Sequence, residues 1–315
     1  MKTVMVGEKA LSQLSLGTVQ LGMNYGIANC DGKPSLEQGM EVLQAAVDGG
    51  ITSLDTAAAY GDSEHVIGTF LRGYARREEL FLTTKCVVDL PDGAPAAQVK
   101  AQIRASLDRS LENLGVEQVG CLMLHHAKDY VRFGDVVAQT FDELVQAGKI
   151  VCAGISIYHP EDLDGVLQDG VVSVVQAPMN LMDHALAESP HMAEMQRKGI
   201  LLIARSIFLQ GLFFLNPATM IDPDLLAAAA PVLCRIREIA QEEHMSVAQL
   251  AVTYIRDMPG VTGVVLGAEK PNQIKENLAY FANDAANISA GARTKIDEEC
   301  AADIARIMKV LSRPK

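Results

Sequence analysis

Apolar residues along the chain fall into short, nearly unbroken runs, separated by longer stretches where they recur every three or four positions. The runs are SQLSLGTV (12–19), ITSLDTA (51–57), LFLTTKC (80–86), GCLMLHH (120–126), IVCAGISI (150–157), VVSVVQAPM (171–179), ILLIARSI (200–207) and GVVLGA (263–268). Runs this short, rich in β-branched residues and without strict alternation, read as parallel strands buried on both faces. The stretches between them read as helices. Val99, Ile103, Leu107, Leu111 and Leu114 line one helical face, which Gly115 ends. Ser35 with Gln38, and Ser246 with Gln249, have the spacing of capping boxes. Pro160 suits the first turn of a helix.

Eight strand–helix units predict an α/β fold, a (β/α)8 TIM barrel, with a doubly wound open sheet as the main alternative. No low-complexity linker or repeat divides the 315 residues, so a single domain over 1–315 is expected. The segment from Gly211 to about Met245 exceeds an ordinary connection and predicts an insertion after strand 7. Residues from about 285 to 311 predict an extra C-terminal helix.

Composition narrows the function. Hydrophobic residues make up 49% of the chain, which excludes intrinsic disorder. A net charge of −12 disfavours a nucleic-acid partner. No apolar run is long enough for a bilayer span or a signal peptide, so a cytoplasmic protein without a membrane partner is expected. The six cysteines (Cys30, Cys86, Cys121, Cys152, Cys234 and Cys300) show no C-x-x-C spacing, and Cys86, Cys121 and Cys152 fall in or beside strand runs as core thiols. His125 and His126 offer no H-x-H or H-x-x-x-H spacing, so a metal-dependent barrel hydrolase is disfavoured and no metal is expected.

In such a barrel, chemistry gathers at the C-terminal ends of the strands. Asp55 ends strand 2, Tyr60 lies in the following loop, Lys85 ends strand 3 and His125 ends strand 4. Each has a plain structural reading: a strand-end aspartate caps turns, a lysine snorkels to solvent, and one of two adjacent histidines packs. Together they point to one chemistry. A lysine ammonium beside a phenol stabilises phenolate, an aspartate holds the lysine charged, and a histidine orients a carbonyl. This set serves proton donation to an oxygen that is gaining negative charge.

The segments LGTVQLG, LDTAAAYGDSEHVIG, TTK, LMLHH, GKIVCAGIS, VVQAPMN, ARSIFLQGLFF and LGAEKPNQIKEN resemble those of the aldo-keto reductases, in the family's order and over nearly the full length. D-T-A-x-x-Y-G-x-S-E is the most specific of them. The resemblance implies Asp55, Tyr60, Lys85 and His125 as a catalytic tetrad that reduces an aldehyde, ketone or sugar carbonyl with a nicotinamide cofactor. It implies that Ser156 and Gln176 hold the nicotinamide carboxamide, with Thr18 beside the ring. Ser206, Leu209 and Gly211 would follow the ribose and pyrophosphate, and Gly267, Gln273 and Asn277 the adenosine end. The sequence departs from the pattern at three places. Ile157 stands where many members have asparagine. Arg205 stands where an aromatic commonly stacks on nicotinamide, unless it turns outward to an acidic partner. Glu269 stands where many have Arg or Ser at the 2′-phosphate. NADP(H) is therefore the family default, and Glu269, offset by neighbouring Lys270, admits NAD(H). The alternative is a cofactor-binding, redox-sensing regulatory subunit, but no docking segment is evident. With no tryptophan and 5% aromatics, a pocket poor in stacking surfaces, suited to a polar or sugar-like substrate, is expected.

Overall fold

An antiparallel hairpin opens the chain, with β1 (Thr3–Val6) and β2 (Lys9–Ser12) joined by a two-residue turn at Gly7 and Glu8. Gly7 has φ +59, a conformation that side-chain-bearing residues avoid. Eight parallel strands then close in chain order: β3 (Leu14–Gly17), β4 (Ser53–Asp55), β5 (Phe81–Cys86), β6 (Val119–Leu124), β7 (Ile150–Ser156), β8 (Val172–Pro178), β9 (Leu201–Arg205) and β10 (Val261–Gly267). β10 pairs back onto β3, with Leu266 opposite Leu16. The eight expected strands and the barrel are thus present, and the open sheet is excluded. The hairpin was not foreseen. This computed structural model describes residues 1–29, 31–219, 222–282, 287–302 and 304–311.

Helices fill most of the connections. α1 (Val19–Gly22) and α2 (Leu36–Asp48) follow β3, α3 (Ser63–Gly73) follows β4, α4 (Ala96–Leu114) follows β5 and α5 (Ala127–Gln146) follows β6. β7 is followed only by a 3₁₀ turn, Pro160–Leu163, so Pro160 starts a tighter element than the α-helix expected. α6 (Ala185–Glu188) and α7 (Pro190–Lys198) precede β9. The insertion after β9 is largely helical, because α8 (Pro223–Glu242) occupies it ahead of α9 (Val247–Arg256). After α10 (Pro271–Ala279), the single terminal helix expected is instead two, α11 (Ala290–Glu299) and α12 (Ile304–Leu311), both packed on α8. Ser35 and Gln38 form the full capping box, whereas Ser246 only accepts from the Gln249 N–H. Gly115 ends α4 in the left-handed conformation, as its position implied.

Strand parity places the site. On each strand, alternate residues enter the barrel. The lower interior layer holds Phe81, Cys121, Met123, Cys152, Val174 and Ile203, closed from beneath by Leu11 of the hairpin. Counting two or four residues up each strand from this layer gives Lys85 above Phe81, His125 above Met123, Ser156 above Cys152, Gln176 above Val174 and Arg205 above Ile203. The opposite parity, including Leu54, Leu82, Leu122, Ile155 and Leu202, packs in one core with helix residues such as Ile103, Leu107 and Val137. Each fully buried leucine there contributes about 2 kcal/mol. Cys86, Cys121, Cys152 and Cys300 are buried free thiols and Cys234 is exposed; Cys30 lies outside the described residues.

Candidate active site

Asp55, at the end of β4, and Lys85, on the neighbouring β5, form a buried ion pair. Lys85 Nζ donates to Asp55 Oδ1 at 2.7 Å and to the Thr56 carbonyl at 2.9 Å. Their side chains are 8% and 1% exposed, so solvent screens the pair little. Gln176 Nε2 donates to the other carboxylate oxygen, Oδ2, at 2.7 Å. Burial opposes the charge on Lys85, but the Asp55 carboxylate and the Tyr60 phenol outweigh it, so the lysine titrates above its ordinary value. The ammonium lies 5.0 Å from the centre of the Tyr60 ring. Tyr60 meets His125 edge to face, with ring centroids 5.7 Å apart. The four residues do converge.

The loop that carries Tyr60 is pinned by a close backbone crossing. A Cβ on Gly22 would sit 1.8 Å from the Tyr60 carbonyl oxygen, so only glycine permits this approach. A Cβ on Gly61, with φ +55, would sit 2.4 Å from the Gly22 carbonyl oxygen, and Asp62 N–H donates to that carbonyl at 3.1 Å. Beneath it, Ser63 Oγ donates to Thr18, and Thr18 Oγ1 donates to the Asp55 carbonyl at 2.8 Å. The Thr18 hydroxyl is thereby committed to holding the end of β4.

A trough of about 680 Å³ runs across the C-terminal ends of the strands. From one end to the other, Tyr60, His125, Asp55, Thr18, Ser156, Gln176, Arg205, Ser206, Gly211, Gly267, Glu269, Gln273 and Asn277 all contribute to its lining. Two expected residues do not. Lys85 lies beneath the floor, and Leu209 turns its apolar side chain into the core, leaving Phe208 and Gln210 to face the trough. Ser206, Leu209 and Gln210 all have positive φ, strain that clusters at this wall. Gln176 Oε1 is buried without a donor, and Ser156 is its register partner on β7. A buried amide oxygen left open in this way suits a ligand N–H.

The departures from the family pattern take definite positions. Ile157 is buried, and its backbone N–H donates to the Gln176 carbonyl at 2.9 Å. Arg205 turns inward rather than out to an acidic partner. Its Nη2 donates to the Ile157 carbonyl at 3.0 Å, its Nη1 to Ser206 Oγ at 3.1 Å, and its guanidinium lies 4.6 Å from the Tyr158 ring centre. Glu269 is half-buried in the wall, its carboxyl raised by burial and by Asp31 against the pull of Lys270. Lys270 is committed to Asp31 at 2.6 Å, so it offsets Glu269 less than expected. Tyr25, Tyr158, Phe208, Phe214 and Tyr280 also line the trough. With Tyr60 that makes six of the chain's fifteen Phe and Tyr residues, more stacking surface than the low aromatic content led one to expect. Burial raises the Tyr25 phenol, and Tyr60 adds to the effect while Arg205 opposes it.

Burial, reinforced by Lys85, His126 and Arg205, lowers His125 to about 4, so its ring is neutral above pH 5. Its Nδ1 is buried without a partner. The unfolded chain protonates histidine near 6.5, so it binds more protons than the native state between about 6.5 and 4. Stability therefore declines as pH falls through that window. His125→Gln is expected to flatten part of the decline, seen as a smaller drop in urea midpoint between pH 7 and 4.5. Parallel wild-type and mutant profiles would place His125 in contact with water.

The profile described as the Aldo/keto reductase family matches residues 13–296. The L-glyceraldehyde 3-phosphate reductase of Escherichia coli (strain K12) is 29% identical over 303 residues, spanning 86% of each chain. The holo form of aldo-keto reductase AKR11C1 from Bacillus halodurans superposes with a TM-score of 0.77 at 22% identity, over 98% of this chain and 99% of that one. An aldo/keto reductase from Klebsiella pneumoniae in complex with NADP and acetate superposes with a TM-score of 0.71 at 21% identity, over 96% of each.

Proposed function

The chain belongs to the aldo/keto reductase family, and on that footing we propose that it reduces an aldehyde, ketone or sugar carbonyl with NAD(P)H, Tyr60 giving the proton. The observation that carries this reading is the Lys85 ammonium held 5.0 Å from the Tyr60 ring centre by a buried carboxylate. When bound, the nicotinamide nucleotide supplies the hydride. The trough suits such a ligand in volume, and the open Gln176 Oε1 with Ser156 suits its carboxamide. Ser206 and Gly211 line the middle, and Gly267, Gln273 and Asn277 the far end. Leu209 contributes only through the turn it helps to shape.

The chain's own groups account for the proton. Neutral His125 orients the carbonyl oxygen toward the phenol. Tyr60 donates as that oxygen gains charge, and Lys85 offsets the phenolate left behind. Asp55 keeps Lys85 charged, and Gln176 links the ion pair to the carboxamide seat. Among the described residues no helix is long and apolar enough to cross a membrane. Four buried free thiols accord with a reducing, cytoplasmic setting. The reading is tested by assaying aldehydes, sugars and polyols with both cofactors. Failure to oxidise NADPH or NADH with any carbonyl in the panel would sink it.

Cofactor choice follows from the far end of the trough. A carboxylate at Glu269 repels a 2′-phosphate and accepts hydrogen bonds from a ribose diol. With Lys270 tied to Asp31, weak discrimination between NADP(H) and NAD(H) is expected rather than exclusive NADP(H) use. Glu269→Arg should shift preference toward NADP(H) by about 1–3 kcal/mol, because a charge-assisted hydrogen bond to the phosphate replaces a repulsion. Equal NADPH dissociation constants before and after the substitution would place Glu269 away from the phosphate.

A further inference from the structure

The catalytic end of the trough holds one uncompensated charge. Lys85 is cancelled by Asp55 at 2.7 Å, and His125, lowered to about 4, is neutral at pH 7. Arg205 is the single Lys or Arg among the described lining residues. Its hydrogen-bond and ring partners are all neutral: the Ile157 carbonyl, Ser206 Oγ and the Tyr158 ring. The guanidinium carbon lies 4.6 Å from the Tyr158 ring centre, and the hydrogen bonds to Ile157 and Ser206 hold the guanidinium in place.

This fixed cation adjoins the open amide seat. Ile157, whose carbonyl it binds, follows Ser156, and Ser156 pairs with Gln176 across β7 and β8. Arg205 itself stands opposite Pro178, two residues beyond Gln176. A ring docked by its carboxamide on Gln176 and Ser156 therefore lies within the field of the guanidinium. An oxidised nicotinamide ring carries a positive charge and a reduced one does not. A planar guanidinium stacks on either ring but repels only the oxidised one.

We propose that Arg205 makes the site discriminate between the two redox forms of its nicotinamide nucleotide, holding the reduced form more tightly. This deepens the function proposed above and rests on it. The bias acts through loading and release. It keeps the reduced form bound when both are present and speeds departure of the oxidised form. The same charge opposes the hydride step itself, so the device favours reduction by occupancy and not by driving force.

The test is binding, not turnover. Because the chain has no tryptophan, calorimetric titration is used for NADPH and NADP+, and for NADH and NAD+, with wild type, Arg205→Met and Arg205→Lys. In the wild type, the oxidised-to-reduced ratio of dissociation constants should exceed that of Arg205→Met by roughly tenfold or more, the size expected for a partly screened like-charge pair. The change should come chiefly from tighter oxidised binding in Arg205→Met. Arg205→Lys, which keeps the charge without the plane, should retain most of the ratio. An unchanged ratio in Arg205→Met, or an equal loss in Arg205→Lys, overturns the role of this charge while leaving the nucleotide reading intact. Absence of binding by either redox form overturns both.

Discussion

Tyr60→Phe is expected to lower turnover by roughly two or more orders of magnitude while nucleotide affinity stays within a few-fold of wild type. The substitution removes a single oxygen and its proton. The ring still meets His125 edge to face and still lies above the Lys85 ammonium, and the loop stays pinned at Gly22. The loss therefore falls on the proton given to the carbonyl oxygen and not on the shape of the site. Lys85→Met should lower turnover similarly for a different reason, since the phenol survives but the cation that offsets its phenolate is gone. Steady-state rates on the best carbonyl substrate, with dissociation constants for the reduced cofactor, separate chemistry from binding. Near-wild-type turnover in Tyr60→Phe would move the proton donor elsewhere, with Tyr25, which lines the same trough, the first candidate.

Asp55, Lys85 and His125 were legible from their places near strand ends, where a period of two decides whether a side chain enters the barrel. Tyr60 was legible from its loop beside them, and Ser156, Gln176 and Arg205 only through the motifs of the family resemblance. Loop residues follow no such period. Tyr25 and Tyr158 line the trough from connections whose course depends on the whole rim, so pattern did not single them out. Leu209 shows the limit of motif matching: its positive φ and apolar side chain send it into the core and away from the trough. The Gly22–Tyr60 crossing joins segments about forty residues apart, and a glycine in a run gives no sign of what approaches it. The hairpin was missed because its first strand is largely exposed. Its signal was the two-residue turn at Gly7, not a hydrophobic run.

Asp55→Asn is expected to reduce folding stability by about 3–5 kcal/mol, because it leaves the Lys85 ammonium buried without its counter-charge. The amide oxygen still accepts from Lys85, and its NH2 can donate to Gln176 once that side-chain amide flips to present its open Oε1, so the loss is chiefly electrostatic. In the wild type, Lys85 titrates above its ordinary value of 10.5 despite its burial. The contribution of the lysine charge is therefore present at neutral pH and is lost as pH rises through that higher folded value. Removing both charges should undo most of the damage. Asp55→Asn with Lys85→Met places a flexible apolar chain where the ammonium was, and replacing a buried pair by apolar or neutral groups is often close to neutral. Turnover should not recover with stability, since the double variant still lacks the cation beneath Tyr60. Urea unfolding of the two single variants and the double, alongside their turnover, reads both quantities. A double variant no more stable than Asp55→Asn alone would mean that the lost stability came from the carboxylate's bond to Gln176 and not from an orphaned lysine.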